Sequence, residues 1–379
     1  MADTPVDFLY TNIGRGHPHY LDGILASLPD ERLGSVDDVF SLSRGAGALT
    51  WRSARWMYRA GSSWPGLYSK IRAGTDYARR GLLTSLMGAA LSERYADRRG
   101  PLVVAHPLLV GLLLQHSRLV YQHGEVAVPR EATVPGDHRV LVPDGEAARI
   151  FIRDGFAEEN VHVTGFCIEP SLQQQAESAY AARQSRLSVD DVLGVAMFSS
   201  GAEPRKHIES LVRGAISATR SNHRVFLFAR RNGRLQHDAT RAFREAELNL
   251  ETPLAGPRPG TAAIYCFEDR TEIDALTTRH FRDFDVFVAP SHERTLWALG
   301  LGLPMLIVEP AIGSYAPLNR DRMIREGVGQ SLDPEGAPSL GDVLTRMQSE
   351  GQLRAMAEAG WGRYELGGFQ AIADLLDRI

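Results

Sequence analysis

The sequence is short of several things at once. Only two of its 379 residues are cysteine, Cys167 and Cys266. They are too few and too far apart for a disulfide framework or a zinc site, and they read as buried thiols in a reducing compartment. Lysine is nearly absent: Lys70 and Lys206 are the only lysines among 42 basic residues. With abundant Ala, Gly and Leu, that arginine skew fits a GC-rich bacterial genome better than a chemical demand. Long apolar runs are missing too. The longest, residues 108–114, contains Gly111 and is far short of a membrane span. The first residues show no basic segment followed by an apolar one, so no signal peptide is expected and the cytoplasm is the expected compartment. There is no low-complexity tract. A net charge of −4 and a pI near 6.3 exclude a globally basic nucleic-acid binder.

What is present is a soluble globular balance, 44% hydrophobic and 23% charged, with length enough for two domains. Residues 6–11 (VDFLYT) predict a buried strand, followed by a glycine turn and a helix over about 19–28. Further strands are predicted at 101–106, 118–122, 139–143 and 161–164, with a helix over 144–154. From 171 to 191 the composition turns to Gln, Ala, Ser and Arg, which reads as a crossing between domains. The pattern then restarts. Strands are predicted at 192–198, 225–229, 263–267, 286–289 and 305–308, with helices over 207–218 and 294–300. Strands alternating with helices predict parallel sheets. Two such halves, each opening on a strand and a glycine turn, predict an α/β protein of two Rossmann-like domains facing a cleft.

The chemistry-bearing residues sit at strand ends. Gly14-Arg15-Gly16-His17 follows the first strand, where open parallel sheets place ligands. A histidine there suits a general base, and the bland alternative is a tight turn with a satisfied histidine. Ser199-Ser200-Gly201 ends the first strand of the second half and suits a phosphate at a helix N-terminus, aided by Arg205 and Lys206. Without a Lys-Ser/Thr pair it is no P-loop. Asp283-Phe284-Asp285 matches a metal motif by spelling alone, and alternation along a strand starting there would turn both carboxylates the same way. No cluster has metal-ligand spacing. Residues 51–100 carry ten basic and three acidic side chains, a local +7, among Trp51, Trp56, Tyr58, Trp64, Tyr68 and Tyr77. Arg52, Arg55 and Arg59 share a helical face. Such a block suits an anionic membrane surface or an amphipathic acceptor, and equally a solvated arginine face over an aromatic core.

Five segments in order resemble one family. NIGRGHPHYLDGI is similar to a G-G-G-H opening, and WRSARWMYRAGSSWPGLYSKI to a segment of spaced Tyr, Trp and Pro. HRVLVPDGEAARIFIRDGFAEENVHVTGFCIEPSL resembles a first-domain closing run, and RVFLFARRNGRL resembles V-V-x-C-G-R-N-x-x-L. DVFVAPSHERTLWALGLGLPMLIVEP is similar to D-x-V-V-T-K-P-G-G-L-T-x-x-E-A-L-A-x-G-L-P-M-I. The chain thus resembles glycosyltransferases of the two-Rossmann-domain type (GT-B, family 28-like). The nearest are monogalactosyldiacylglycerol synthase, the processive diacylglycerol glycosyltransferases and the peptidoglycan lipid GlcNAc transferase.

The resemblance implies three divisions: residues 1–175 as the acceptor domain, 190–355 as the nucleotide-sugar domain, and 356–379 as a helical segment packing back on the first. It implies sugar transfer from a UDP, dTDP or GDP donor to a lipid or small natural-product acceptor, inverting, with no cofactor and no obligatory metal. His17 would be the base, with Gly16 beside it. Asn12, His19, Trp56, Tyr58, His106, His123 and Glu125 would face the acceptor. Ser200, Gly201, Arg231, Asn232, Ser291, His292, Glu293, Arg294, Thr295, Trp297 and Asn319 would face the donor. Peripheral contact with an anionic membrane is a further expectation. The departures fall mainly on the donor side. The K-P-G-G turn is Ala289-Pro290-Ser291-His292, and the ribose-binding glutamate is Trp297, which either stacks on a ligand or packs inside. These departures leave a nucleotide-sugar epimerase, hydrolase or pseudo-glycosyltransferase as the alternative.

Overall fold

The computed structural model describes residues 4–11, 16–61, 81–189, 191–251, 255–292 and 294–378, and side chains there except at 16, 17, 57–61, 82 and 83. Asn12 and Glu293 lie outside the described residues, as do the side chains of His17 and Tyr58.

The chain divides into two compact units. The first comprises Met1–Ile168, Gly313–Leu318 and Glu365–Ile379, and the second Glu169–Ile312 and Asn319–Tyr364. In the first, strands β1 (Val6–Tyr10), β2 (Leu33–Asp38), β3 (Leu102–Val104), β4 (Leu119–Gln122), β5 (Arg139–Val142) and β6 (Val161–Val163) form one sheet. Its order is β2-β1-β3-β4-β5-β6. Every pairing is parallel. Parallel strands are covered on both faces, so β3 (LVV) reads as an unbroken apolar run, and it and β4 (LVYQ) are fully buried. The helix Gly368–Asp377 packs on the helix Gly16–Leu25, and Gly23 makes the approach possible: a Cβ there would collide with the Phe369 ring. Arg32 closes the C-terminal end of the helix Gly368–Asp377 by donating to the Leu376 carbonyl at 2.9 Å.

The second unit holds β7 (Gly194–Phe198), β8 (Arg224–Arg230), β9 (Leu250–Glu251), β10 (Ala262–Phe267), β11 (Val286–Ala289), β12 (Met305–Val308) and β13 (Gly329–Leu332). They form a parallel sheet of order β13-β12-β11-β7-β8-β10-β9. Its core is built from Val195, Leu227, Val288 and Leu306, against Ile208, Leu211 and Ala215 of the helix Arg205–Arg220.

Two readings change. The polar stretch read as a crossing forms the helices Pro170–Gln174 and Ala176–Leu187. Its buried stripe is Ala176, Ala179, Arg183 and Leu187, so alanine and one arginine fill the positions that leucine usually marks. Arg183 is fully buried and donates to the carbonyls of Phe284, Leu301 and Gly302 at 2.9–3.0 Å. The strand begins at Val286 as expected, but a 3-10 turn over Phe281–Asp283 precedes it, so the Asp283-Phe284-Asp285 motif lies ahead of the strand and not within it. Asp283 then pairs with Arg224 at 3.4 Å. Asp285 is buried, held by Arg186 and the Gly194 N–H, each at 2.7 Å. The two carboxylates serve separate structural partners.

Candidate functional site

Open parallel sheets take ligands at the carboxyl ends of their strands, where the strand order reverses. In the second unit that point lies between β7 and β11. Strand β7 runs out into Ser199-Ser200-Gly201, and β11 into Pro290-Ser291-His292.

The β7 loop leads to the helix Arg205–Arg220, whose N-cap is Pro204 with no side-chain cap. Its first-turn N–H groups therefore lack a side-chain acceptor and carry the positive end of the helix dipole. Ser200 is half-buried and Gly201 exposed; Arg205 is held by Glu209 at 2.7 Å, and Lys206 is exposed. His207 is 1% exposed, and its Nε2 lies 2.8 Å from the Pro310 carbonyl. A carbonyl only accepts, so Nε2 carries the proton. Burial pushes the His207 imidazole down to about 4.

The next helix start differs. Arg234–Glu245 opens on Gly233, and the Glu203 carboxylate accepts from the Arg234 N–H at 2.8 Å. A Cβ on Gly233 would stand 2.8 Å from both the Arg230 carbonyl and the Glu203 carboxylate, so glycine permits the approach. Here an internal carboxylate already occupies the positive end. Arg231 pairs with Glu268 at 2.9 Å and Glu272 at 3.6 Å, and the Asn232 N–H donates to Gln236 at 2.7 Å.

Across the switch point, buried Ser291 accepts at its carbonyl from the Asn319 side chain at 3.2 Å, and His292 is half-buried. Arg294 lies over Phe198 at 4.8 Å and Trp297 at 5.3 Å. Thr295 is fully buried at the start of the short helix Thr295–Leu301. Trp297 is 2% exposed, and its indole N–H donates to Glu169 at 3.1 Å. The other Glu169 oxygen accepts from Arg270 at 2.6 Å, and Arg270 reaches Asp274 at 2.7 Å. Of the two readings of Trp297, packing inside is the observed one. Ser200, Gly201, Ser291 and His292 stand in the two loops at the switch point, Arg231 and Asn232 stand at the end of β8, and Trp297 is withdrawn into the core.

In the first unit the reversal falls between β1 and β3. His106 follows β3, is 3% exposed, and accepts at Nδ1 from the Leu108 N–H at 3.1 Å, capping the helix Pro107–Leu113. His123 follows β4 and is 2% exposed. Its Nε2 lies 3.1 Å from the Ala127 carbonyl, and its Nδ1 lies 3.1 Å from the Tyr121 hydroxyl. A carbonyl only accepts, so Nε2 carries a proton, while the Tyr121 hydroxyl can either donate to Nδ1 or accept from it. Tyr315 stacks on it at 6.2 Å. His19 is buried with Phe369 edge-on at 5.5 Å, and Glu125 is half-buried. At the end of β1 the Tyr10 hydroxyl donates to Asp22 at 2.8 Å, and burial with that carboxylate pushes the phenol up. His19, His106 and His123 thus share the carboxyl edge of this sheet. Trp56 does not; it is 69% exposed on the helix Gly45–Gly61. Trp51 of the same helix is fully buried and donates to the Met87 carbonyl at 3.2 Å.

Glu169, Glu203 and His207 were not among the sequence candidates. Glu203 and His207 lie within eight residues of Ser199-Ser200-Gly201, so that turn was a usable signal for them; nothing local marks Glu169. Among the described residues no three His, Cys, Asp or Glu side chains gather as a metal site, and no helix is long and apolar enough to cross a membrane.

Solved structures match over nearly the whole chain. MurG of Acinetobacter baumannii is 10% identical, with 99% of this chain and 100% of that chain covered at a TM-score of 0.60. The UDP-GlcNAc 2-epimerase of Neisseria meningitidis, solved with UDP-GlcNAc, is 10% identical over 99% and 98% at 0.56. The glycotransferase of kitacinnamycin is 13% identical over 100% and 99% at 0.52. The fold is GT-B. By sequence, neither a family model nor a curated protein matches the chain. At this identity the likeness to GT-B structures carries the architecture alone.

Proposed function

We propose that the protein is a nucleotide-sugar-dependent glycosyltransferase, with the donor at the carboxyl edge of the second sheet and the acceptor at that of the first. The observation that carries this reading is the open N-terminus of the helix Arg205–Arg220 beside Ser199-Ser200-Gly201 at the β7/β11 reversal. A departing nucleotide diphosphate develops negative charge, and a preorganised set of N–H groups with Lys206 nearby stabilises it. The neighbouring helix start, filled by Glu203, repels a phosphate, so the diphosphate belongs on the first helix and not the second. His17, in the first turn of the helix Gly16–Leu25, takes the proton of the acceptor hydroxyl as that oxygen attacks the sugar. No metal is required for this scheme, and chelation should leave turnover unchanged.

A neighbour solved with UDP-GlcNAc supports uridine nucleotides as the first donors to try. Calorimetry against UDP, dTDP, GDP and CDP tests the donor site, and micromolar binding of one is expected. Failure of all four overturns the reading. One observation favours a second reading, that of an epimerase or hydrolase: Trp297, at the place of a ribose-binding carboxylate, is packed inside against Glu169. Nucleotide sugars incubated without acceptor separate the two. Free sugar or an isomer supports the second; inertness until an acceptor is added supports the first.

A further inference from the structure

The edge of the second sheet carries a feature that sugar transfer does not use. Strand β13 is the outermost strand and pairs with β12 alone. The Met305 N–H donates to the Val328 carbonyl at 3.1 Å, and the Glu309 N–H to the Leu332 carbonyl at 3.2 Å. In a parallel ladder this register turns the peptide groups of Val328, Gln330 and Leu332 toward β12. Those of Gly329 and Ser331 face outward, and no backbone partner for them occurs among the described residues. Outside them runs an open groove of about 610 Å³. Ile324, Ala355, Met356 and Ala359 give it apolar walls, and Ile324 is 48% exposed.

Sheet edges invite pairing and are usually blunted by shortness, charge or proline. The other three sheet edges among the described residues are blunted. Strands β9 and β6 have two and three residues, and β2 ends on Asp37 and Asp38. β13 is four residues long, GQSL, without charge or proline. We propose that this edge is a self-association surface, on which β13 of a second copy pairs antiparallel about a two-fold axis through Gln330.

The occupant follows from the register. Centred on Gln330, the two-fold sets Gly329 opposite Ser331 of the copy and Ser331 opposite Gly329. Each is a hydrogen-bonded pair, so the four bonds use every outward peptide group on both strands. Exposed Gln330 meets its own counterpart, and an amide side chain both donates and accepts. Beside the groove, Arg354 and Glu358 pair at 2.9 Å on the helix Gln352–Ala359, so the flanks of two identical copies approach without net repulsion.

Sedimentation velocity on the full chain tests this. The wild type should sediment as a dimer at tens of micromolar. Gln330→Lys places like charges opposite each other and should weaken the dimer by about fivefold or more. Gln330→Glu should do the same, and an equimolar mixture of the two should restore association as the mixed species. Ser331→Pro removes an outward N–H on each copy and should abolish the dimer while melting as the monomer does. A monomeric wild type at every concentration overturns the proposal, whether or not another protein's strand fills the groove. So does a dimer indifferent to Ser331→Pro, or a Lys/Glu mixture that stays monomeric.

Discussion

The two carboxyl edges share a topology and differ in chemistry. In the first unit the edge is lined by histidines whose ring nitrogens are turned to the protein: His106 caps a helix, and His123 is bonded on both sides. In the second unit the edge is lined by serines, an uncapped helix start and arginines committed to carboxylates. One edge is built from hydrogen-bonding rings, the other from a fixed dipole with charges tied down around it. A hydrogen-bonding edge suits the hydroxyl partner of a transfer, and a dipolar edge suits the charged one. On this reading the described first-unit histidines shape the acceptor pocket, which leaves His17 for proton transfer.

The largest test of that division is His17→Ala. It should lower turnover by about a hundredfold or more, the scale of a lost general base, with nucleotide binding by calorimetry unchanged. His123→Phe should cost far less turnover if His123 is structural. Equal losses in the two variants would erase the distinction between them.

The next largest effect belongs to the second unit. Glu169→Leu strips Arg270 and the Trp297 N–H of one buried carboxylate, though Asp274 still holds Arg270. Breaking a buried pair from one side destabilises by about 3 kcal/mol, and the surviving partner should bring this nearer about 2 kcal/mol in urea unfolding. If Trp297 instead served the ligand, the same variant would change nucleotide affinity more than stability.

Much of this frame was readable from residues alone. VFLFA at β8 and MLIV at β12 are fully buried strands whose apolar runs announce them. The restart of the strand-and-turn pattern near residue 192 marked the second sheet. What stayed hidden was whatever depended on distant partners. Trp297 and Glu169 are 128 positions apart, so no local pattern could say that the tryptophan would be spoken for. Arg183 reads as a surface residue until three carbonyls from distant segments close on it. Strand β2, LGSVDD, has two large apolar residues because an edge strand is only half covered, and its signal was too weak to be read. Glu203 was visible as a residue, yet its effect depends on a second loop folding against it.

A smaller effect compares one buried histidine from each unit. Burial pushes His138 and His207 down to about 4, well below the ordinary value of 6.5. The unfolded chain therefore binds protons that the folded one refuses between pH 6.5 and 4. Stability is fully present above pH 6.5 and is lost as pH falls through that window. Each histidine should remove about 1–2 kcal/mol between pH 7 and 5. They should respond differently to replacement. Neither ring nitrogen of His138 has a hydrogen-bond partner among the described residues, whereas His207 donates to Pro310. His138→Leu should flatten the acid limb and leave stability at pH 7 equal or higher, because no bond is lost. His207→Leu should flatten it too, with a loss of about 1 kcal/mol at pH 7 for the missing bond. Unfolding curves at the two pH values read both.

The smallest expected change in stability separates two tryptophans on one helix. Trp51 is fully buried with its N–H bonded to Met87, while Trp56 is 69% exposed with Leu49, 64% exposed, on the same helical face at i−7. Arg52 is exposed between them. Trp51→Phe should destabilise by about 1 kcal/mol through the lost bond, and Trp56→Ala by less than about 0.5 kcal/mol. The ranking should invert at a membrane. Trp56→Ala should weaken flotation with anionic vesicles, and Trp51→Phe should not, since only the outer ring can enter an interface flanked by arginine. Wild-type binding should also fall as salt rises, because exposed charges are screened beyond about 8 Å at physiological ionic strength. Recovery of the wild type in the soluble fraction, equally with and without anionic lipid, would leave Trp56 as a solvent-facing residue and confine the function of this helix to its buried side.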